Sequence, residues 1–201
     1  MRRITGGVFQ SLDGVMQAPG GPTEDPTGGF ALGGWLTSFF DATVGETMGE
    51  LFSPPYALLL GHNTYDIFAA HWPYVGGEEA AMGEALTRAD KHVLTHRTEP
   101  LEWENSYRLD DMDAIAALKA SDGPDLLIQG SSTLYPALLI AGLLDRLTTL
   151  TFPVVLGKGK RLFGTGTPAG AFRLVDHKVS PNGVVIASYE PAGVVPIGSF
   201  Q

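Results

Sequence analysis

Asp125-Leu126-Leu127-Ile128-Gln129-Gly130-Ser131-Ser132-Thr133-Leu134-Tyr135 is the stretch on which the rest of the chain turns. Its unbroken apolar run has the character of a strand buried on both faces, and it ends in a glycine and small hydroxyl residues just where a helix should begin. A glycine at that point lets a ligand approach the backbone closely. The free amides and the positive dipole end of the following helix attract an anion. An ordinary tight turn has the same composition, so the stretch by itself admits both readings.

Two segments upstream repeat the pattern. Tyr56-Ala57-Leu58-Leu59-Leu60 is an apolar strand ending at Gly61-His62-Asn63-Thr64-Tyr65, where Asn63 or Thr64 either caps a helix or offers donors to a phosphate. Lys91-His92-Val93-Leu94-Thr95 runs into His96-Arg97, which is either an exposed basic turn or a hydroxyl, an imidazole and a guanidinium placed to select a phosphate. Three such strand ends in one parallel sheet point to an extended anionic ligand with more than one phosphate.

Around these lie the other elements. Arg3 to Gln10 is expected to be a first strand, whose Gly6-Gly7 lets something come close to the backbone. An irregular, Gly- and Pro-rich segment covers about 11–34; its Val15, Met16, Phe30 and Leu32 favour an ordered flap over a tail. Trp35 to Leu51 has near-helical apolar spacing, and Ser53-Pro54-Pro55 stops that helix. Further helices are expected over Glu78 to Arg88, from a cap at Asp110 or Asp111 through Ser121, and after the opening stretch to about Ala141. Ser106 to Leu109 reads as a short strand. Beyond Ala141 the alternation stops: Arg146 to Val155, Phe172 to Lys178 and Val184 to Glu190 read as strands, the last two joined by a hairpin at Ser180-Pro181-Asn182-Gly183. The expected architecture is an α/β sheet, mostly parallel and flanked by helices, with an antiparallel C-terminal edge and ligands at the strands' carboxyl ends.

Composition narrows the chemistry. With 201 residues, 44% of them hydrophobic and 17% charged, one well-cored domain over 1–201 is expected. A net charge of -9 argues against non-specific nucleic-acid binding, though not against a nucleotide held by a few local cations. There is no cysteine, which excludes disulfides and thiol catalysis. No apolar run approaches membrane-spanning length, and the N-terminus enters a strand pattern directly, so a cytoplasmic chain without membrane partners is the expectation. His62, His71, His92, His96 and His177 read as single structural histidines, and no metal is expected. No G-x-S-x-G elbow is present, which disfavours a serine hydrolase. Leu156-Gly157-Lys158-Gly159-Lys160-Arg161-Leu162-Phe163 is neither a P-loop nor a dinucleotide fingerprint.

The order Ser11-Leu12-Asp13-Gly14, Gly61 to Tyr65, Lys91 to Thr95, Gly130 to Leu134, Leu144-Asp145-Arg146-Leu147 and Pro153 to Phe163 resembles the dihydrofolate reductase superfamily. Within it, the chain is more similar to the branch related to the C-terminal reductase domain of the bifunctional riboflavin-biosynthesis protein, from about Arg3 to Glu190. The resemblance implies a three-layer dihydrofolate reductase-like fold, NADPH as cofactor and a small heterocyclic, phosphoribosylaminouracil-like acceptor. Dihydrofolate-type reduction and non-catalytic NADPH binding on the same fold are the alternatives.

By position, the resemblance gives His62, Asn63 and Thr64 to the cofactor's phosphates, Thr95, His96 and Arg97 to the adenosine 2′-phosphate, and Gly130, Ser131, Ser132 and Thr133 to the pyrophosphate turn. The sequence departs from the family at two of these: His62 stands where arginine is usual, and Ser131 where a second glycine is frequent. A side chain at Ser131 crowds the backbone unless its conformation suits a residue with a Cβ. Trp35-Leu36-Thr37-Ser38-Phe39-Phe40-Asp41 has no acid in its first turn, which disfavours dihydrofolate; Trp35 and Phe39 remain as apolar walls and Asp41 as the nearest acid. Asp13 is the candidate catalytic residue, orienting substrate or supplying a proton, or else an Asx-turn residue. The apolar strand Thr148 to Val155 and the tail over 191–201, with Val194 to Phe200, suggest a further buried surface and a homodimer.

Overall fold

The computed structural model describes residues 1–53 and 55–200. Pro54, expected to help stop the first helix, and Gln201, at the end of the tail, lie outside them.

Eight strands form one sheet in the order β4-β3-β2-β5-β1-β6-β8-β7. They are β1 (Ile4–Ser11), β2 (Tyr56–Gly61), β3 (Lys91–Leu94), β4 (Ser106–Leu109), β5 (Asp125–Gln129), β6 (Arg146–Phe152), β7 (Phe172–Val179) and β8 (Val185–Pro191). From β4 across to β6 every pairing is parallel. Only β8 runs against its neighbours, pairing antiparallel with both β6 and β7. This is the expected α/β sheet with its antiparallel C-terminal edge.

Helices cover both faces: α1 (Ala42–Phe52), α2 (His62–His71), α3 (Ala80–Arg88), α4 (Met112–Ala120) and α5 (Leu134–Ile140). The period-2 alternation of the central strands decides which helix meets which side chain. Ala57 and Leu59 of β2 and Leu126 and Ile128 of β5 pack with Ile115 of α4 and Tyr135 and Leu138 of α5. Leu58, Leu60 and Leu127 point the other way, onto Tyr65 of α2 and Leu86 of α3. On that same side Val44 of α1 packs with Leu150 and Phe152 of β6, joined by the half-buried Phe9. Each fully buried Leu or Ile contributes about 1.5–3 kcal/mol.

Four expectations change here. Gly6 and Gly7 admit helices rather than a ligand: a Cβ on Gly6 would lie 2.6 Å from the Tyr135 ring of α5, and one on Gly7 3.0 Å from Leu51 of α1. The helix expected from Trp35 is broken in two. A 3-10 turn over Thr37–Phe39 ends at Phe40 in extended conformation, and Asp41 then caps α1 by accepting from the Val44 amide at 3.1 Å. β6 stops at Phe152 because Pro153 has no N–H to continue the ladder. β6 also lies between β1 and β8, with Leu150 and Phe152 fully buried, so it leaves no spare apolar surface for a partner.

Of the flap's apolar residues Val15, Met16 and Phe30 are buried, with Ala18 beside them, whereas Leu32 is exposed. The flap's first residues pair with the loop after β6 through a Val15–Arg161 bridge, and the Met16 amide donates to the Lys160 carbonyl at 2.8 Å. The tail exposes Val194, Ile197 and Phe200. Among the described residues no helix is long and apolar enough to cross a membrane.

Candidate functional site

The carboxyl ends of β2, β3 and β5 open into one cleft of about 1630 Å³. Pockets for a single drug-sized ligand are roughly 300–1000 Å³, so this one has room for a dinucleotide and a second molecule. The sequence stretches Gly61–Thr64, Thr95–Arg97 and Gln129–Thr133, far apart along the chain, all line it.

The first and third of these brace each other. The Gly61 amide donates to Ser131 Oγ at 2.9 Å, and the Ser131 amide donates to Thr64 Oγ1 at 3.0 Å. Gly130 and Ser131 have φ of 68° and 54°, two left-handed residues in succession. The pair turns the chain sharply off β5. For Ser131 that conformation costs about 1–2 kcal/mol, which its two cross-turn hydrogen bonds offset. The Cβ therefore does not crowd the cleft: the side chain is buried and turned towards Gly61. At Gly130 a Cβ would approach Thr64 Cγ2 to 3.1 Å, so glycine is needed on packing as well as on φ. Gly61 caps α2 without a side-chain hydrogen bond, which leaves the first amides of that helix facing the cleft.

At the end of β3, Thr95 is buried and its Oγ1 accepts from the Arg97 amide at 3.0 Å, so it shapes the turn that presents His96 and Arg97. Arg97 Nη1 lies 3.2 Å from Asp66 Oδ2, and its Nη2 donates to Asn63 Oδ1 at 3.4 Å. The other Asp66 oxygen is 3.2 Å from His62 Nε2. His62, Asn63 and Arg97 are thus brought together, around a carboxylate that the sequence reading passed over. The i,i+4 spacing of His62 and Asp66 on one helix face was the available signal.

The opposite end of the cleft has different walls from those expected. Met16, Leu36, Phe40, Met48 and Phe52 line it, whereas Trp35, Phe39 and Asp41 do not. The break at Phe40 shifts the helical phase and turns those three away. The rings of Trp35 and Phe39 pack edge-on to Phe152 at 5.4 and 6.5 Å, and Trp35 Nε1 donates to the Gln17 carbonyl at 2.8 Å. Asp41 spends its carboxylate on the amides of Val44 and Asn182, at 3.1 and 3.0 Å.

Asp13 is likewise committed elsewhere, and it is not among the residues lining the cleft. Ser11 Oγ donates to Oδ1 at 2.6 Å, with the Leu156 amide on the same oxygen and the Gly157 amide and Arg161 on the other. The Ser11 hydroxyl, followed by those amides, holds its pKa far below the usual carboxylate range. An acid so stabilised as an anion holds no proton to supply near neutral pH. Asp13 clamps the start of the flap to the loop after β6.

Two flap carboxylates, Glu24 and Asp25, line the cleft, and Glu24 is the one with no cation paired to it among the described residues. Its Oε2 accepts from the Gly20 and Gly21 amides at 2.7 and 3.2 Å. Burial raises its pKa, and those two amides and His71 act in the opposite sense. Its neighbour Asp25 is held in an ion pair with Lys160 at 2.6 Å. Nothing in the local pattern Pro22-Thr23-Glu24-Asp25-Pro26 separates these two acids. The tertiary contact with Lys160 does.

Residues 2–186 match the family model described as the RibD C-terminal domain. A curated relative, the uncharacterised protein YyaP of Bacillus subtilis, is 23% identical over 94% of this chain and 94% of its own length. The crystal structure of a putative riboflavin biosynthesis protein from Shewanella sp. PV-4 superposes with a TM-score of 0.69 at 22% identity, covering 94% of this chain and 99% of that one. Dihydrofolate reductase from Enterococcus faecalis, complexed with NADP(H), gives a TM-score of 0.57 at 13% identity, covering 94% and 96% of the two chains. The likeness to the solved structures is one of fold; the family match spans nearly the whole chain. The chain belongs to the RibD C-terminal domain family, and its fold is dihydrofolate reductase-like.

Proposed function

We propose that this chain is an NADPH-dependent reductase that passes hydride to a small heterocyclic acceptor of the phosphoribosylaminouracil-like class. The observation that carries the reading is the convergence of three strand ends on one cleft, with the unclaimed amides of α2 and the left-handed Gly130-Ser131 turn side by side. That donor set fits a pyrophosphate, and the turn with His96 and Arg97 stands where the adenosine ribose would lie beyond it. The cofactor supplies the hydride, so the protein needs no nucleophile of its own.

What the chain supplies is position and exclusion of water. His62, Asn63, Thr64 and Gly130 to Thr133 hold the dinucleotide's phosphates. Met16, Phe40, Met48 and Phe52 form a dry wall for the acceptor, and Glu24 meets its polar edge. Dihydrofolate-type reduction is the weaker reading, because Asp41 caps α1 instead of facing the cleft. We take the chain to work as a single cytoplasmic domain and as a homodimer through the exposed tail residues Val194, Ile197 and Phe200.

NADPH fluorescence titration followed by oxidation with candidate acceptors tests the proposal. Saturable binding with turnover on a heterocyclic acceptor is expected. Absence of binding at millimolar NADPH overturns it, and binding without turnover on any acceptor leaves only a dinucleotide-binding protein.

A further inference from the structure

Resting on the dinucleotide reading above, we infer that Asp66 sets the cofactor choice of this cleft. It holds Arg97 and His62 in a carboxylate-centred cluster that weakens selection for a 2′-phosphate and accepts a free ribose 2′-hydroxyl.

The geometry is that of a cation already engaged. Both ends of the Asp66 carboxylate are used, Oδ2 by Arg97 Nη1 and Oδ1 by His62 Nε2, each at 3.2 Å. The second Arg97 nitrogen is turned to Asn63 Oδ1 at 3.4 Å. The guanidinium fork therefore spans two residues of α2 instead of standing open for the bidentate grip that makes arginine a selective phosphate ligand. A 2′-phosphate drawn to Arg97 must share it with Asp66, and two anions on one cation repel each other at close range. A 2′-hydroxyl meets no such opposition. It donates to the Asp66 carboxylate on α2, and a carboxylate accepting from the ribose hydroxyl is the chemistry by which dinucleotide folds hold an unphosphorylated ribose. Asp66 also lines the cleft and is exposed, so its replacement removes no core contact.

The test is the dissociation constants of NADPH and NADH for the wild-type chain, Asp66→Asn and Asp66→Asn with Arg97→Ala, measured by fluorescence titration without turnover. The wild-type chain is expected to prefer NADPH by no more than about threefold, and Asp66→Asn to raise that preference about tenfold, mainly by tightening NADPH. Removing Arg97 as well should abolish the gain, since it arises from freeing that guanidinium. A change in preference below about threefold, or a gain that survives loss of Arg97, overturns the inference while leaving the reductase reading in place. Failure of either nucleotide to bind the wild-type chain overturns that reading and this inference with it.

Discussion

The two ends of the cleft are built by different means. At the end proposed for the dinucleotide, three turns directly follow strands whose register the parallel sheet fixes, and two of them are tied to each other by the bonds from Gly61 to Ser131 and from Ser131 to Thr64. The end proposed for the acceptor is made of an irregular flap, a broken helix start and the middle and last turns of α1, held by long-range contacts such as Trp35 to Gln17 and Lys160 to Asp25. Residues that follow a strand inherit their direction from it. Residues in an irregular segment take theirs from whatever they pack against.

The contrast leads to separable effects of mutation. The largest is expected from Gly130→Val: a β-branched residue at φ 68° with its Cβ against Thr64 cannot keep the turn. Nucleotide affinity should fall by about 100-fold or more, because strain of about 1–3 kcal/mol adds to loss of the amide geometry. Unchanged NADPH titration in this variant would detach the turn from the cofactor.

Next is Asp13→Ala, which leaves the Leu156 and Gly157 amides and Arg161 without their acceptor and should cost about 1–3 kcal/mol in denaturant unfolding. NADPH affinity should stay within about twofold. Since the folded carboxyl's pKa lies below that of the unfolded chain, its contribution is present in full above the unfolded value of about 4 and is lost as pH falls through the folded one. The gap between wild type and variant should therefore narrow in acid. A variant as stable as wild type but inactive would return Asp13 to the chemistry.

The smallest effect belongs to Glu24→Gln. It should raise the acceptor's KM by about threefold to tenfold while leaving the NADPH dissociation constant alone, as expected for one lost charged contact. A shift in NADPH affinity larger than the shift in KM would put Glu24 at the wrong end of the cleft.

The same contrast explains what could be read from the sequence. The sheet was legible because buried strands announce themselves as apolar runs, and the three strand ends because glycine and hydroxyl residues follow those runs at once. A cap at Asp110 or Asp111 was legible for the same local reason, and it is Asp111 whose side chain accepts from the Ala114 amide at 2.8 Å. The opposite wall of the cleft was not. Trp35 and Phe39 carry the spacing of a helix face, yet the extended Phe40 resets the phase, and only Asp41's bonds to Val44 and Asn182 reveal where α1 begins. Asp13 looked like an available acid because, apart from Ser11, the partners that claim it, Leu156, Gly157 and Arg161, lie far along the chain. Gly6 and Gly7 signalled close approach correctly but not by what, since Tyr135 and Leu51 reach them through tertiary packing.

A crystal structure of the chain with NADPH tests the central claim most directly. The account requires the pyrophosphate between the start of α2 and the Gly130-Ser131 turn, with the adenosine ribose beside Asp66 and Arg97 and the nicotinamide directed towards Phe40 and Met48. A dinucleotide bound elsewhere, for example along the loop Leu156 to Phe163, or lying with its phosphates away from Gly130, would contradict it.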